Sequence, residues 1–272
     1  MRGVFRVAVI VIAICSMVPY AYAQSVRHPS DTTRHVMQQS VKPKPKGPKA
    51  IKHELSAGFR LNTNGWSGYM DFGSVKAKNL KTADMFYNVR LFQVEFTEKK
   101  SPKQEKTVVD GNASGNSGSY IYGKINNFYA LKLGYGFSKM LAGKPDPGSV
   151  SIHWVNVIGF SLGMLKPYYL NTLSDPNAIR YTEATKSDFL TQGLIVGSAG
   201  FGKGLSEISF IPGGHFKSAL HFDFSANRKD IIGAEVGINA EYYSADVPIM
   251  ANQPAQSYFV DLFLAVQFGR RW

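Results

Sequence analysis

Three side chains on one stretch are of the types that nucleophilic catalysis uses: His221, Asp223 and Ser225. A carboxylate can orient an imidazole as a general base, and such a base can activate a serine hydroxyl. They alternate with Phe222, Phe224 and Ala226, so in an extended strand all three share one face. The same geometry limits them. Residues four apart on a strand lie about 13 Å apart, at roughly 3.3 Å per residue, so His221 and Ser225 cannot pair directly. His221 and Asp223 stand as the catalytic candidates, a base and its orienting carboxylate, and the competing reading makes them part of a hydrogen-bonded interior. The Gly-rich stretch 197–204, GSAGFGKG, lacks the GK[ST] ending and the strand–helix setting of a phosphate-binding loop. His215 and His221 share a face but sit about 20 Å apart, too far for one ion, and no other histidine spacing suits a metal. No metal and no cofactor are expected.

The elements that position these residues are strands. Ile232, Ala234, Val236, Ile238, Ala240 and Tyr242 alternate with Gly233, Glu235, Gly237, Asn239 and Glu241. Tyr258, Val260, Leu262, Leu264, Val266 and Phe268 alternate in the same way with Phe259, Asp261, Phe263, Ala265 and Gln267. Period two over eleven or more residues is the mark of a strand with two unlike faces. Weaker alternation marks strands over 54–62, through Phe72, over 84–97, around Tyr129–Tyr135 and over 152–162, giving eight in all. Asn64-Gly65 supplies a tight turn. Tyr87, Val89 and Leu91 fall on one parity and Phe92, Val94 and Phe96 on the other, which predicts a bulge near Leu91.

An even number of meandering strands predicts an all-β fold, an antiparallel up-and-down barrel. Its polar face is rich in Gly, Ser, Asn and His rather than dense in Lys and Glu, which suits a tight interior. That interior would hold Arg60, Lys132 and Lys217 against His221, Asp223, Glu235, Asn239, Glu241 and Asp261, because buried charges must be paired. Tyr129, Tyr135, Tyr242, Tyr258 and Phe268 are placed toward the ends of the apolar face, where aromatic girdles meet membrane interfaces. The barrel is therefore expected to span a membrane. The last strand stops within four residues of the C-terminus, with Gly269, Arg270 and Arg271 separating it from Trp272.

The 272-residue chain opens with Arg2 and Arg6, an apolar run over 7–18 and Ala21-Tyr22-Ala23 before Gln24. This is the pattern of a secretory signal peptide cut between Ala23 and Gln24. Cleavage there removes Cys15, the only cysteine, and with it any disulfide framework. The formal net charge is +12, but much of it lies in residues 24–53, where Arg27, Arg34, Lys42, Lys44, Lys46, Lys49 and Lys52 face Asp31 alone. Alternating Pro and Lys in KPKPKGPK (42–49) predict an extended, disordered linker, with peptidoglycan or another anionic partner as its candidate contact. Charge confined to such a tail, with no recognition helix or zinc spacing, excludes a nucleic-acid reader. The domains are thus a signal peptide (1–23), a basic linker (24–53) and a barrel (54–272).

With the N-terminus in the periplasm, connections near 74–83, 138–149 and 227–230 fall inside. Those near 62–65, 98–123, 165–214 and 244–257 fall outside, so both long ones lie at the cell surface. Tyr168, Tyr169, Tyr181, Phe189 and Phe201 give loop 165–214 enough aromatic content to fold over the mouth. The segments IYGKINNFYALKLGYGF (121–137), SLGMLKPYYL (161–170), FIPGGHFKSALHFDF (210–224) and GAEVGINAEYYSADVPIM (233–250) resemble an outer-membrane barrel family of Gram-negative bacteria. In architecture it is similar to the small OmpA- and OmpX-type barrels. The resemblance implies an outer-membrane location, lipid or lipopolysaccharide as surroundings, and recognition of the last strand by the barrel-assembly machinery. It brings no catalytic residue. The expected function is a structural or surface-binding role. Alternatives are a lipid-modifying outer-membrane enzyme, although the His-x-Ser pattern of lipid A deacylases is absent, a secreted lipocalin-like binder, or a small porin-like channel.

Overall fold

In a computed structural model, residues 51–76, 88–109, 118–144, 148–227 and 229–272 are described. The expected signal peptide and nearly all of the linker lie outside them. The strands are β1 (His53–Asn62), β2 (Gly65–Lys76), β3 (Asn88–Lys99), β4 (Lys106–Val109), β5 (Gly118–Ile121), β6 (Asn126–Ala142), β7 (Ser151–Pro167), β8 (Tyr169–Thr172), β9 (Ile179–Arg180), β10 (Ile195–Ser198), β11 (Ser209–Asp223), β12 (Asp230–Val247) and β13 (Gln256–Arg271). Eight of them close a barrel in the order β1-β2-β3-β6-β7-β11-β12-β13, with β13 pairing back to β1. Every neighbouring pair is antiparallel. Closure leaves no open edge, so each backbone group of the sheet finds a partner.

The faces divide as the period-two pattern requires. Phe59, Phe72, Phe137, Ile158, Phe216 and Leu262 point outward and are exposed, whereas Arg60, Glu95, Lys132 and Glu235 are buried inside. A continuous apolar belt of this extent is unfavourable in water, and charges inside a closed sheet require a polar interior, so the barrel spans a membrane. Its strands of 10 to 18 residues exceed the roughly 9–11 a tilted crossing needs. Tyr129, Tyr242 and Tyr258 sit toward one rim and Phe268 toward the other. Tyr135 instead lies in mid-belt, because β6 continues through Ala142.

Three local expectations are corrected. The β3 ladder runs unbroken against both β2 and β6, with no bulge at Leu91. Val89 and Leu91 point into the barrel, packed with Tyr69, Val155, Val157 and Phe263, while Phe92 and Phe96 point out. The apolar residues change parity because that end of the interior is itself apolar. Secondly, the first turn is Thr63-Asn64, and Gly65 opens β2 opposite Asn62. Its φ of 155° and the Glu98 carbonyl, 1.9 Å from where a Cβ would stand, require glycine there. Thirdly, β13 continues through Arg271, leaving Trp272 directly after the strand.

The long connections at the rim opposite His53 and Arg271 are folded. β7 extends through Pro167 and β11 starts at Ser209, so less of 165–214 is loop than its sequence suggests. The rest builds a three-stranded sheet, β10-β8-β9, while β4 and β5 form a hairpin. Tyr120, Leu170, Ile179, Phe189 and Ile195 bury a separate core between them. A Cβ at Gly118 of β5 would stand 2.2 Å from the Val196 carbonyl of β10, so the backbones meet closely there. Below this cap, residues 249–251 of the β12–β13 connection pair with 123–126. They close the mouth with a second apolar cluster of Phe128, Leu165, Tyr243, Val247, Ile249, Met250 and Phe259.

Candidate functional site

The inner wall at mid-height carries the densest chemistry. β1 supplies Arg60, β3 Glu95 and Lys99, β6 Lys132, β11 Lys217, β12 Glu235 and Glu241, and β13 Asp261, all on inward parity. Arg60 bonds to Glu95 and lies 3.9 Å from Glu235. Lys132 bridges Glu95 (3.0 Å) and Glu241. Lys99 pairs with Asp261 and with Glu241 (3.1 Å), whose other oxygen accepts the Tyr243 hydroxyl at 2.7 Å. Lys217 faces Glu235 at 3.4 Å. The Arg60 guanidinium lies over both the Tyr69 ring (4.5 Å) and the Phe263 ring (4.3 Å). Four cations, Arg60, Lys99, Lys132 and Lys217, thus meet four carboxylates, Glu95, Glu235, Glu241 and Asp261. In a buried site such neutrality favours stability, because an unmatched buried charge costs several kcal/mol.

The residues expected to form one network separate into layers. Arg60, Lys132, Lys217, Glu235, Glu241 and Asp261 meet at the centre. Asn239 lies beside them and donates to Asn62 at 3.5 Å, at the limit of a hydrogen bond. Asp223 belongs to the rim that carries His53 and Arg271. It accepts from the Arg271 guanidinium (2.6 Å), the Lys144 ammonium (3.1 Å) and the Ser225 backbone (2.8 Å). Between the layers, Asp71 accepts from Gln93 (2.6 Å) and Gln267 (3.0 Å).

The candidate triad does not assemble. The Ser225 hydroxyl donates to Asp223, while His221 Nδ1 faces Glu235 at 3.4 Å and its ring packs edge-on against His153. Ser225 therefore has no base beside it, and His221 is oriented by Glu235 rather than by Asp223. His215 bonds to Ser161 at 3.0 Å. Among the described residues no cluster of histidines and acids has metal-binding geometry. A small cleft at this rim lies between His153, His221, Glu235, Gln267 and Arg271.

Sequence reasoning missed Glu95, Lys99, Lys144 and Arg271. Glu95 and Lys99 follow the parity change of β3, and Lys99 fell in the expected loop 98–123. Arg271 follows Gln267 at even spacing on β13, and that spacing is the signal that would have found it.

No family model and no curated protein match the sequence. Among solved structures, the crystal structure of Neisserial surface protein A covers 84% of this chain and 100% of its own, at 8% identity and a TM-score of 0.40. Ail, the attachment invasion locus protein of Yersinia pestis, covers 82% and 100% at 8% identity and 0.36. The outer membrane enzyme PagL covers 79% and 97% at 13% identity and 0.32. At such scores these likenesses add nothing to what strand pairing already establishes.

Proposed function

We propose that this chain is an exported outer-membrane barrel that holds a folded binding platform at the cell surface. The observation that carries the reading is the cap, in which β4–β5 and β8–β10 bury their own core of Tyr120, Leu170, Phe189 and Ile195 on one rim. Simple tethers between strands need no core, whereas a surface that presents side chains to a partner must be rigid. The signal-like residues before Gln24 supply export, and the aromatic C-terminal strand β13 supplies a handle for barrel assembly. The basic segment 24–53 would remain in the periplasm, suited to peptidoglycan or another anionic surface. Both the charge network and the cluster around Phe128 and Tyr243 fill the interior, which favours a non-conducting barrel over a channel.

The test is fractionation of expressing cells, followed by protease treatment of intact cells. The protein should separate with outer membranes, resist salt extraction, and be cut only within 100–125 and 168–208. Recovery as a soluble periplasmic protein would overturn the reading. Steady single-channel conductance in planar bilayers would overturn its non-conducting part.

A further inference from the structure

The outer wall just below the cap carries charge that no described residue neutralises. Lys166 stands on outward parity at the end of β7, and Lys124 follows β5 beside it; both side chains are almost fully buried, at 2% exposure. Among the described residues neither ammonium has a carboxylate within salt-bridge distance. Each contacts a ring instead: Lys166 lies 4.3 Å from the centre of Phe201, and Lys124 lies 5.8 Å from that of Tyr168. The nearby acid, Glu98, is already engaged by Lys100 (3.5 Å) and by the Trp66 indole N–H (2.6 Å).

Burial lowers the Lys124 ammonium to about 8, with Glu98 opposing that shift and Lys100 and Lys166 adding to it. These groups therefore form one electrostatic cluster with a net excess of two positive charges. Directly beneath it runs a band of rings, Phe59–Trp66–Phe96–Tyr129–Phe201, with successive centroids 6.0, 6.2, 5.8 and 6.5 Å apart. The band crosses β1, β2, β3 and β6 at the upper edge of the apolar belt. A cationic cluster above an aromatic shelf is complementary to an amphiphile with a compact dianionic head and acyl chains.

We propose that Lys124 and Lys166, above this aromatic band, bind the phosphate head of a phosphorylated glycolipid in the surrounding outer leaflet. The proposal rests on the outer-membrane reading above. The phosphate oxygens would accept from both ammonium groups and supply the countercharge the protein withholds. Phe201, 68% exposed although it belongs to the cap, would cover the acyl side of the head. The site would thereby fasten the cap to the membrane surface on the β3–β6–β7 side.

The experiment uses the full mature chain, refolded into nanodiscs. Each sample contains an excess of neutral phospholipid and equal amounts of bisphosphorylated lipid A and its dephosphorylated form with matched acyl chains. Native mass spectrometry after mild detergent release reads which lipid is retained. Retention of the phosphorylated form at least tenfold over the other is expected. The Lys124→Gln/Lys166→Gln variant should lose that preference, while Lys124→Arg/Lys166→Arg and the exposed cap control Lys186→Gln keep it. Heat-modifiable gel mobility checks that each barrel is folded. Equal retention of the two lipids, or an unchanged preference in the double Gln variant, would overturn the site while leaving the membrane reading intact. Complete displacement of the lipid by millimolar inorganic phosphate would overturn the lipid assignment in favour of a free-anion site. Failure to float with liposomes would instead overturn the membrane reading itself.

Discussion

Two groups of buried lysines in this protein are handled in opposite ways. Inside the barrel, Lys99, Lys132 and Lys217, with Arg60, meet Glu95, Glu235, Glu241 and Asp261. On the outer wall, Lys124 and Lys166 are equally buried, yet their close contacts among the described residues are aromatic rings. The difference follows from what lies on the far side of each group. A sealed interior can obtain countercharge only from its own chain, so it must be neutral as built. A wall that borders a lipid leaflet can take countercharge from headgroups, and cations kept there without an acid would select for them.

The sharpest way to break this contrast is to remove one interior acid. Glu95→Gln leaves Arg60 and Lys132 short of a carboxylate and should cost about 3–5 kcal/mol of barrel stability, read by urea titration of the refolded protein. A loss under about 1 kcal/mol would mean that the network tolerates imbalance and that the comparison has no physical basis. Phe189→Ala should cost a similar ~3–5 kcal/mol, confined to the cap. Proteolysis within 168–208 should then accelerate while the heat-modifiable mobility of the barrel stays unchanged. Parallel loss of both would show that cap and barrel unfold as one unit.

The outer lysines should respond to pH. Burial lowers Lys124 to about 8, and a bound phosphate would raise that value, so the proton would be held more tightly in the complex. Affinity for phosphorylated lipid is therefore greatest below pH 8 and falls as Lys124 loses its proton above it. Between pH 8 and 9 the loss should be about fivefold, and a flat profile would remove Lys124 from the site. Lys166→Met should leave stability in phosphate-free detergent within ~0.5 kcal/mol of the parent, since no internal partner is stranded. The smallest expected effect is at His221. His221→Ala should leave the lipid A mass profile of expressing cells unchanged, because Ser225 is turned toward Asp223. An altered profile would revive the enzymatic alternative.

How much was legible varies by strand. β11, β12 and β13 read correctly from alternation alone, because their outer faces are mostly apolar and their inner faces largely small or polar. β3 did not, since Val89 and Leu91 serve an apolar layer inside the barrel and mimic an outward face. The bulge expected there still leaves Glu95 on the inward parity, but Lys99 falls in the expected loop 98–123, and the central network balances only with both. The outer lysines lay in the quoted segments 121–137 and 161–170, yet nothing in their spacing distinguishes them from other exposed lysines. Only the fold brings Lys124, Lys166, Tyr168 and Phe201 together.

Sequence alone determined the faces of most barrel strands, their even number and the rim that bears the long connections. Those follow from a period-two pattern that is local to each strand and from counting the reversals between them. The tertiary structure decided which charges meet, how the cap acquires a core, and which buried lysines are left without an acid. Those depend on register between strands distant in sequence, as between Lys99 of β3 and Asp261 of β13, and no local pattern encodes that distance.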